Sequence, residues 1–185
     1  MSDYSGVDFA LGSVRGFRRW KTDATGVLKP ITYSSRRDWL PGENASICQC
    51  TPSYEQVPKI EGEDWQDRSK RSKEWRENAS FEDMKCGFYA YFDGEDGHGH
   101  GSTDPNISGV IEGYGEVLIG TKGFRAKKAR ILALAVPAFD GIWKLDEFVV
   151  SKIRANYPGI PLFESELAMR AEFPAPAYEP VEVAA

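Results

Sequence analysis

The chain has 185 residues, a hydrophobic fraction of 41% and a net charge of -5. A chain of about 150 residues buries roughly 68–70% of its unfolded surface, so this length suits one domain with its own core. Five Trp and ten Phe argue against disorder. The acidic balance argues against attraction of the whole protein to nucleic acid or to an anionic membrane.

Targeting and cysteine signals predict a cytoplasmic protein with no membrane partner. No window approaches the run of about 18 apolar residues that a membrane helix needs, and the N-terminal segment lacks the basic and apolar regions of a signal peptide. Three cysteines, a small and odd number, fit reduced thiols better than a disulfide framework.

The first half of the chain predicts short strands and one charged insertion. Residues 1–13 are small and polar and are expected to form a flexible arm. Strands at Val14–Trp20 and Val27–Tyr33 flank a turn-forming segment and predict a hairpin, and a Pro-Gly turn precedes a short strand at Ala45–Cys50. Residues 62–80 predict a charged helix or insertion over the surface, because acids come first, bases follow and no wide apolar stripe forms.

An aromatic strand and a glycine-rich hairpin are predicted for the middle of the chain. Residues 86–92 read CGFYAYF, which favours a buried strand, and residues 93–106 have the composition of a flexible loop. The segment Gly109–Leu134 predicts two strands joined by a two-residue turn at 121–122. Leu118 stands where a dinucleotide-binding fingerprint needs its third glycine, which excludes that motif.

Two helices and an extended tail are predicted for the C-terminal part. Apolar residues at 145, 148, 149 and 153 predict an amphipathic helix over Leu145–Arg154, and Glu164–Glu172 predicts a second, short helix. The Pro-rich segment 174–185 is expected to be extended. Residues 14–173 are therefore predicted to form one α+β domain, with a twisted, mostly antiparallel sheet of five or six strands and the C-terminal amphipathic helix packed on it.

Basic residues of the hairpin form the first candidate site. In the register that a two-residue turn sets, Lys128 lies opposite Gly115 and Arg130 opposite Gly113, so two long cationic side chains would cross glycines. Such cations suit an anion or a nucleic-acid backbone. The proposed set is Lys122, Arg125, Lys128 and Arg130.

The alternative for this hairpin is structural. Glycines in a strand permit strong twist or close backbone approach, while the basic side chains reach water. The same register pairs Ile119 with Phe124 and Val117 with Ala126 on one side of the sheet, and Glu116 with Lys127 as an ordinary ion pair on the other.

A zinc site is the second candidate. Thiolates and imidazoles suit zinc, and this chain offers Cys48, Cys50, Cys86, His98 and His100. The spacing departs from the usual C-x2-C pairs, so buried reduced cysteines and a solvated loop are the alternative. The chain shows no motif of a nucleophilic hydrolase, a P-loop or a zinc protease, so no catalytic residue is predicted, although paired carboxylates stay open.

Several segments within residues 14–173 together form a recognisable pattern. They are GFRRWK at Gly16–Lys21, WLPGENA at Trp39–Ala45 followed by Cys48, CGFYAY at Cys86–Tyr91, GVIEGYG at Gly109–Gly115 and GFRA at Gly123–Ala126. The set resembles a family of uncharacterised proteins carried by actinobacteriophages, especially mycobacteriophages, and by actinobacterial chromosomes. Members carry a Cys, a His and a C-x-C before the Gly-aromatic-Tyr-Ala segment, a set that could hold zinc; this chain has no His between Cys50 and Cys86.

The resemblance implies a phage-encoded protein that works in the host cytoplasm. We expect a small non-enzymatic protein that binds a host protein, because small phage accessory proteins are often binders of host factors. Trp, Tyr and Arg are the usual anchors of interfaces, so the candidate interface consists of Trp20, Trp39, Tyr114 and Tyr178. Two alternatives are a nucleic-acid-binding module on the basic strand and a structural or assembly component of the phage particle.

Overall fold

The computed structural model describes residues 8–9, 12–31, 38–46, 56–81, 86–93, 106–136 and 145–174. Within these ranges the chain forms an eight-stranded sheet and three helices. The strands are β1 (Asp8–Phe9), β2 (Val14–Lys21), β3 (Lys29–Pro30), β4 (Asn44–Ala45), β5 (Phe88–Tyr91), β6 (Asn106–Gly120), β7 (Gly123–Ala135) and β8 (Leu162–Phe163). The helices are α1 (Trp65–Asn78), α2 (Glu147–Asn156) and α3 (Glu166–Glu172).

Four of the strands close into a ring. The long strand β6 pairs with β2 on one edge and with β7 on the other. The short strand β5 then joins the remaining edges of β2 and β7, with Tyr91 opposite Phe17 and Ala90 opposite Phe124. All four pairings are antiparallel, whereas β8 runs parallel to β7. The ring gives the sheet an inner and an outer face.

Short strands extend the edges of this ring. β1 and β2 follow one another along β6, and β4 and β5 follow one another along β7, where Ala45 lies opposite Lys128 and Phe88 opposite Ala126. These two-residue additions explain why the sheet has eight strands instead of the predicted five or six. The predicted α+β class and the mostly antiparallel sheet are confirmed.

The inner face is filled by large aromatic side chains. Trp20 on β2 and Phe124 on β7 are almost completely buried. The Phe124 ring lies against glycines of two facing strands: a methyl group added at Gly113 would stand 2.3 Å from its Cε2 atom, and one at Gly16 would stand 2.9 Å from its Cε1 atom. Barrels of about eight strands are only just wide enough for side chains to fill, so a four-stranded ring needs glycines beside a phenyl ring.

Two helices cover the sheet. Ile153 of α2 and the preceding Leu145 are buried in the same cluster as Trp20 and Phe124, which confirms the predicted C-terminal amphipathic helix and its packing on the sheet. Met169 of α3 is buried in a second cluster with Phe17 and residues of β6 and β7, which lies on the outer face of the ring. The sheet therefore carries an apolar layer on both faces.

A tyrosine hydroxyl group ties α2 to two loops. The Tyr157 side chain, directly after α2, is 3% exposed. Its hydroxyl group accepts a hydrogen bond from the backbone N–H of Leu28 and donates one to the carbonyl oxygen of Trp39, both at 2.8 Å. Because both bonds are buried, the hydroxyl group fixes the segments before and after β3 to the end of the helix.

The remaining predictions are confirmed in part. The charged segment 62–80 contains α1, and the short helix predicted at 164–172 is α3, capped by Ser165. β1 pairs with β6, so part of the predicted arm at 1–13 belongs to the sheet, because β6 extends past the end of β2 and offers backbone groups there. Most of the predicted loop 93–106 and tail 174–185 lie outside the described residues.

The central hairpin has the predicted turn but not the predicted register. Gly120 pairs with Gly123, Ile119 with Phe124, and Val117 with Ala126, as expected for a turn at 121–122. Beyond Val117 a β-bulge adds one residue to β6, and Gly115 there adopts a φ of +79°. Glycine reaches this left-handed region without the steric cost that other residues meet.

The bulge overturns the predicted opposition of cations and glycines. Tyr114, not Gly115, lies opposite Lys128, and Glu112, not Gly113, lies opposite Arg130. The extra residue on β6 shifts the pairs from Tyr114 to Ile111 by one position, and a second irregularity between Val110 and Ile111 restores the expected register, with Val110 opposite Ala133.

We predict that Gly113→Ala destabilises the fold by about 1–3 kcal/mol or more, because the new methyl group would overlap the Phe124 ring inside the closed sheet. Gly42→Ala is the matched control, since nothing lies within 4 Å of a methyl group at that position. Urea denaturation measures both free energies of unfolding. Equal midpoints for the two variants would show that the closed four-stranded sheet tolerates a larger side chain at residue 113.

Candidate functional site

The four basic residues of the predicted anion site do not converge on one surface. Lys122 is exposed in the turn between β6 and β7. Arg125 is 6% exposed; its guanidinium group donates a hydrogen bond of 2.8 Å to the carbonyl oxygen of Phe81 and lies 4.6 Å from the centre of the Phe81 ring. The prediction that Arg125 serves a surface site is therefore wrong, because the side chain holds residue 81 against the sheet.

The other cations on β7 are neutralised by carboxylates. The Nζ atom of Lys128 lies 3.1 Å from Oε1 of Glu43, and Nε of Arg130 donates to Oε2 of Glu112 at 2.5 Å. Lys127 pairs with a neighbouring carboxylate of β6 as predicted, namely that of Glu116. Each of these three basic residues thus faces an acid, and the strand presents no continuous positive stripe.

Two of the carboxylates have lowered pKa values. Burial alone would raise the pKa of Glu112, but hydrogen bonds from the Ser13 hydroxyl group and from Arg130 outweigh burial and hold that pKa below its ordinary value. At the exposed Glu43, hydrogen bonds from Tyr114 and Lys128 lower the pKa. Both carboxylates therefore stay ionised, as partners of the β7 cations should.

Two of the four predicted interface aromatics lie in the core. Trp20 is fully buried and Trp39 is 3% exposed; their rings meet edge to face, with centroids 5.2 Å apart. The interface prediction is wrong for both, because Trp20 shares the inner face of β2 with Gly16 and Trp39 packs on it. Tyr114 is partly exposed and donates a hydrogen bond of 2.9 Å to Glu43, whereas Tyr178 lies outside the described residues.

The structure leaves the predicted zinc site as a prediction. Cys86 is half-buried just before β5. The other four predicted ligands lie outside the described residues; they are Cys48, Cys50, His98 and His100. In the described part of the chain, no group of three or more His, Cys, Asp or Glu side chains is placed to hold a metal ion.

The most exposed aromatic side chain of the described residues lies at the start of α1. Trp65 is 80% exposed, and Ile60, in the turn that precedes the helix, is 54% exposed. We call residues 60–65 the Ile60–Trp65 corner. The helix that follows has no buried residue, so it presents the corner without contributing to the core.

Local hydrogen bonds fix the shape of this corner. Gly62 adopts a φ of +82°, and the backbone N–H of Glu63 donates to the carbonyl oxygen of Ile60 at 3.1 Å. The Asp64 carboxylate caps α1 by accepting hydrogen bonds from two backbone N–H groups of its first turn, at 2.7 and 2.9 Å. An acid at this position also complements the positive end of the helix dipole.

Arg71, further along α1, forms hydrogen bonds to both sides of the corner. One nitrogen of Arg71 donates to the Glu63 carboxylate at 2.7 Å, and the other donates to the carbonyl oxygen of Pro58 at 2.9 Å. The Glu63 side chain is only 4% exposed. These hydrogen bonds connect the two sides of the corner, whereas its two large apolar side chains, Ile60 and Trp65, are exposed.

Sequence reasoning missed this corner, although one signal was present. The segment that became α1 lacks an apolar stripe, so a tryptophan at its first position has no helical face to share with a core. That argument predicts an exposed Trp65. The contact of Arg71 with Pro58 could not be read in the same way, because it depends on the path of the turn.

In the described ranges, no helix combines the length and the apolar character of a membrane span. Comparison with protein-family models, with curated proteins and with solved structures finds no match to this chain. The resemblance to actinobacteriophage proteins therefore stays a prediction.

We predict that Glu112→Gln lowers stability at neutral pH and that the difference from the unmodified protein shrinks as the solution becomes acidic. The pKa of Glu112 in the folded protein lies below its usual 4.5, so the carboxylate stabilises the fold above that pH and loses this contribution as pH falls through the folded value.

Urea denaturation at a series of pH values measures this effect. Glu116→Gln is the control, because its ion pair with Lys127 is about half exposed and such pairs contribute little. A stability difference for Glu112→Gln that is the same at pH 7 and at pH 3 would contradict the prediction.

Proposed function

We propose that this protein is a small non-enzymatic binding protein that engages a host protein through the Ile60–Trp65 corner. The observation that carries the proposal is the exposure of Trp65, 80% of whose surface is accessible although the backbone around it is fixed by hydrogen bonds. A flexible tail could expose an indole by chance. A structured turn that does so has the form of an interface anchor.

A partner that covers Trp65 would bury a large apolar area. An aromatic side chain buries about 150–250 Å², which at about 25 cal/mol per Å² corresponds to a transfer free energy of roughly 4–6 kcal/mol before the costs of association are subtracted. Ile60 adds a second apolar side chain on the same corner. Because a few such residues supply most of the free energy of many interfaces, two of them are sufficient to define a binding site.

The shape of the corner favours a folded protein as the partner. The apolar side chains project outward from a turn, so the complementary surface is a concave apolar pocket of the kind that folded proteins provide. The resemblance to actinobacteriophage proteins supports a host protein as the partner. It also supports the host cytoplasm as the compartment in which the two proteins bind. The virion remains the alternative compartment.

The nucleic-acid alternative has less support from the described residues. Arg125 is buried, and Lys128 and Arg130 already contact carboxylates. A phosphate backbone would have to displace those carboxylates, whose negative charges repel it.

We predict that Trp65→Ala, alone or with Ile60→Ala, removes a host protein that the unmodified chain retains from an actinobacterial lysate, with at least about tenfold less captured, since a lost hot-spot residue costs 2 kcal/mol or more. Leu167→Ala is the matched control, because Leu167 is an equally exposed apolar residue, 81% accessible, on another helix. Quantitative mass spectrometry compares the captures by the unmodified chain and by the three variants.

Other outcomes decide between the alternatives. Equal capture by all variants would refute a role for the corner. Retention that disappears with nuclease treatment and falls steeply with salt would favour the nucleic-acid alternative. Presence in purified phage particles at a fixed copy number would favour a structural component.

A further inference from the structure

We infer that Arg71 is a positioning residue that holds the Ile60–Trp65 corner in its binding conformation before a partner arrives. The effect on affinity rests on the proposed function, whereas the effect on the corner itself belongs to the free protein.

The first observation is that Arg71 contacts both sides of the turn. One of its terminal nitrogens reaches the Glu63 carboxylate and the other reaches the carbonyl oxygen of Pro58, so one planar group spans the segment that contains Ile60. A lysine has a single ammonium group on a flexible stem and cannot reproduce two diverging hydrogen bonds with the same geometry.

The second observation is the burial of the acceptor. The Glu63 side chain is 4% exposed, while that of Arg71 is 30% exposed. A buried carboxylate that loses its cation must find water, because an unpaired buried charge is strongly unfavourable. Without Arg71 the Glu63 carboxylate keeps a hydrogen bond of 3.4 Å from the backbone N–H of Ile60, and as the carboxylate turns toward water the turn loses this contact as well.

The third observation is that Arg71 does not share the surface of Trp65. Six residues along a helix correspond to a rotation of about 120° away from the starting position. Arg71 is also partly covered, whereas Trp65 is exposed. A partner that covers the indole therefore meets the corner without needing Arg71, which contributes only through the shape of the turn.

Preorganisation is the physical reason for an effect on affinity. Binding normally includes an entropic cost for ordering loops and side chains at the interface. A corner that is ordered in the free protein has already met this cost during folding. Without Arg71 the entropic cost of ordering the corner falls on the binding step. This cost weakens the complex mainly through a faster dissociation rate.

The test begins with the free protein and needs no partner. Backbone 15N order parameters at residues 60–64 and at the Trp65 indole N–H are measured for the unmodified chain and for Arg71→Ala. We expect values to fall from about 0.85 to below about 0.6 at the corner. Helicity should persist, since alanine favours helix more than arginine does.

Two variants serve as controls. Lys70→Ala removes a neighbouring cation of the same helix, 72% exposed and paired only weakly with Asp67, and should leave the corner ordered. Arg71→Lys should restore the order only in part. An Arg71→Ala variant whose corner remains as rigid as that of the unmodified chain would overturn the inference, whatever the partner.

The second arm uses the protein that the unmodified chain captures and Trp65→Ala does not. Arg71→Ala should raise its Kd about tenfold, equivalent to about 1.4 kcal/mol, with an unchanged melting temperature. A mobile corner with an unchanged Kd would overturn the preorganisation. If no protein depends on Trp65, the proposed function fails, and the order parameters still decide whether Arg71 positions the corner.

Discussion

The fold depends on the packing of one phenyl ring against two glycines. The Phe124 side chain fills the interior of the closed four-stranded sheet. It fits because Gly16 and Gly113 leave room on the strands that face it. With the ring closed, β6 pairs on both edges along most of its length. The glycines of β6 consequently have different tasks: Gly113 admits Phe124, Gly109 admits Trp20, and Gly115 takes the positive φ of the bulge.

The bulge sets the electrostatics of the same hairpin. Without it, Lys128 would lie opposite Gly115 and Arg130 opposite Gly113, as the turn alone predicts. With one residue added at Gly115, Arg130 lies opposite Glu112 and forms an ion pair with it. Lys128 lies opposite Tyr114 and forms an ion pair with Glu43. A local backbone feature thus pairs cations of a strand with a basic sequence with carboxylates of neighbouring segments.

Local sequence signals predicted the helices and the hairpin turn. Contacts between residues distant in sequence determined how these elements pair and which side chains they bury. Turn residues, caps and apolar spacing were sufficient for the hairpin turn, α2 and α3. Closure of the ring was not predictable, since it joins Phe17 to Tyr91 through a single pairing far apart in sequence. Aromatic content alone did not distinguish the buried Trp20 from the exposed Trp65, because burial depends on which face the sheet turns inward.

The position of α1 separates the proposed binding surface from the residues that stabilise the sheet. The chain leaves the edge of β7 after Ala45 and returns to the same edge at Phe88, and in between Val57 and Phe81, on either side of α1, are buried whereas no residue of α1 is. Loop-closure entropy rises slowly with length, which lets such an insertion grow at little cost to folding. Since α1 buries no residue, changes at Trp65 or Arg71 should alter recognition while the ring around Phe124 stays intact.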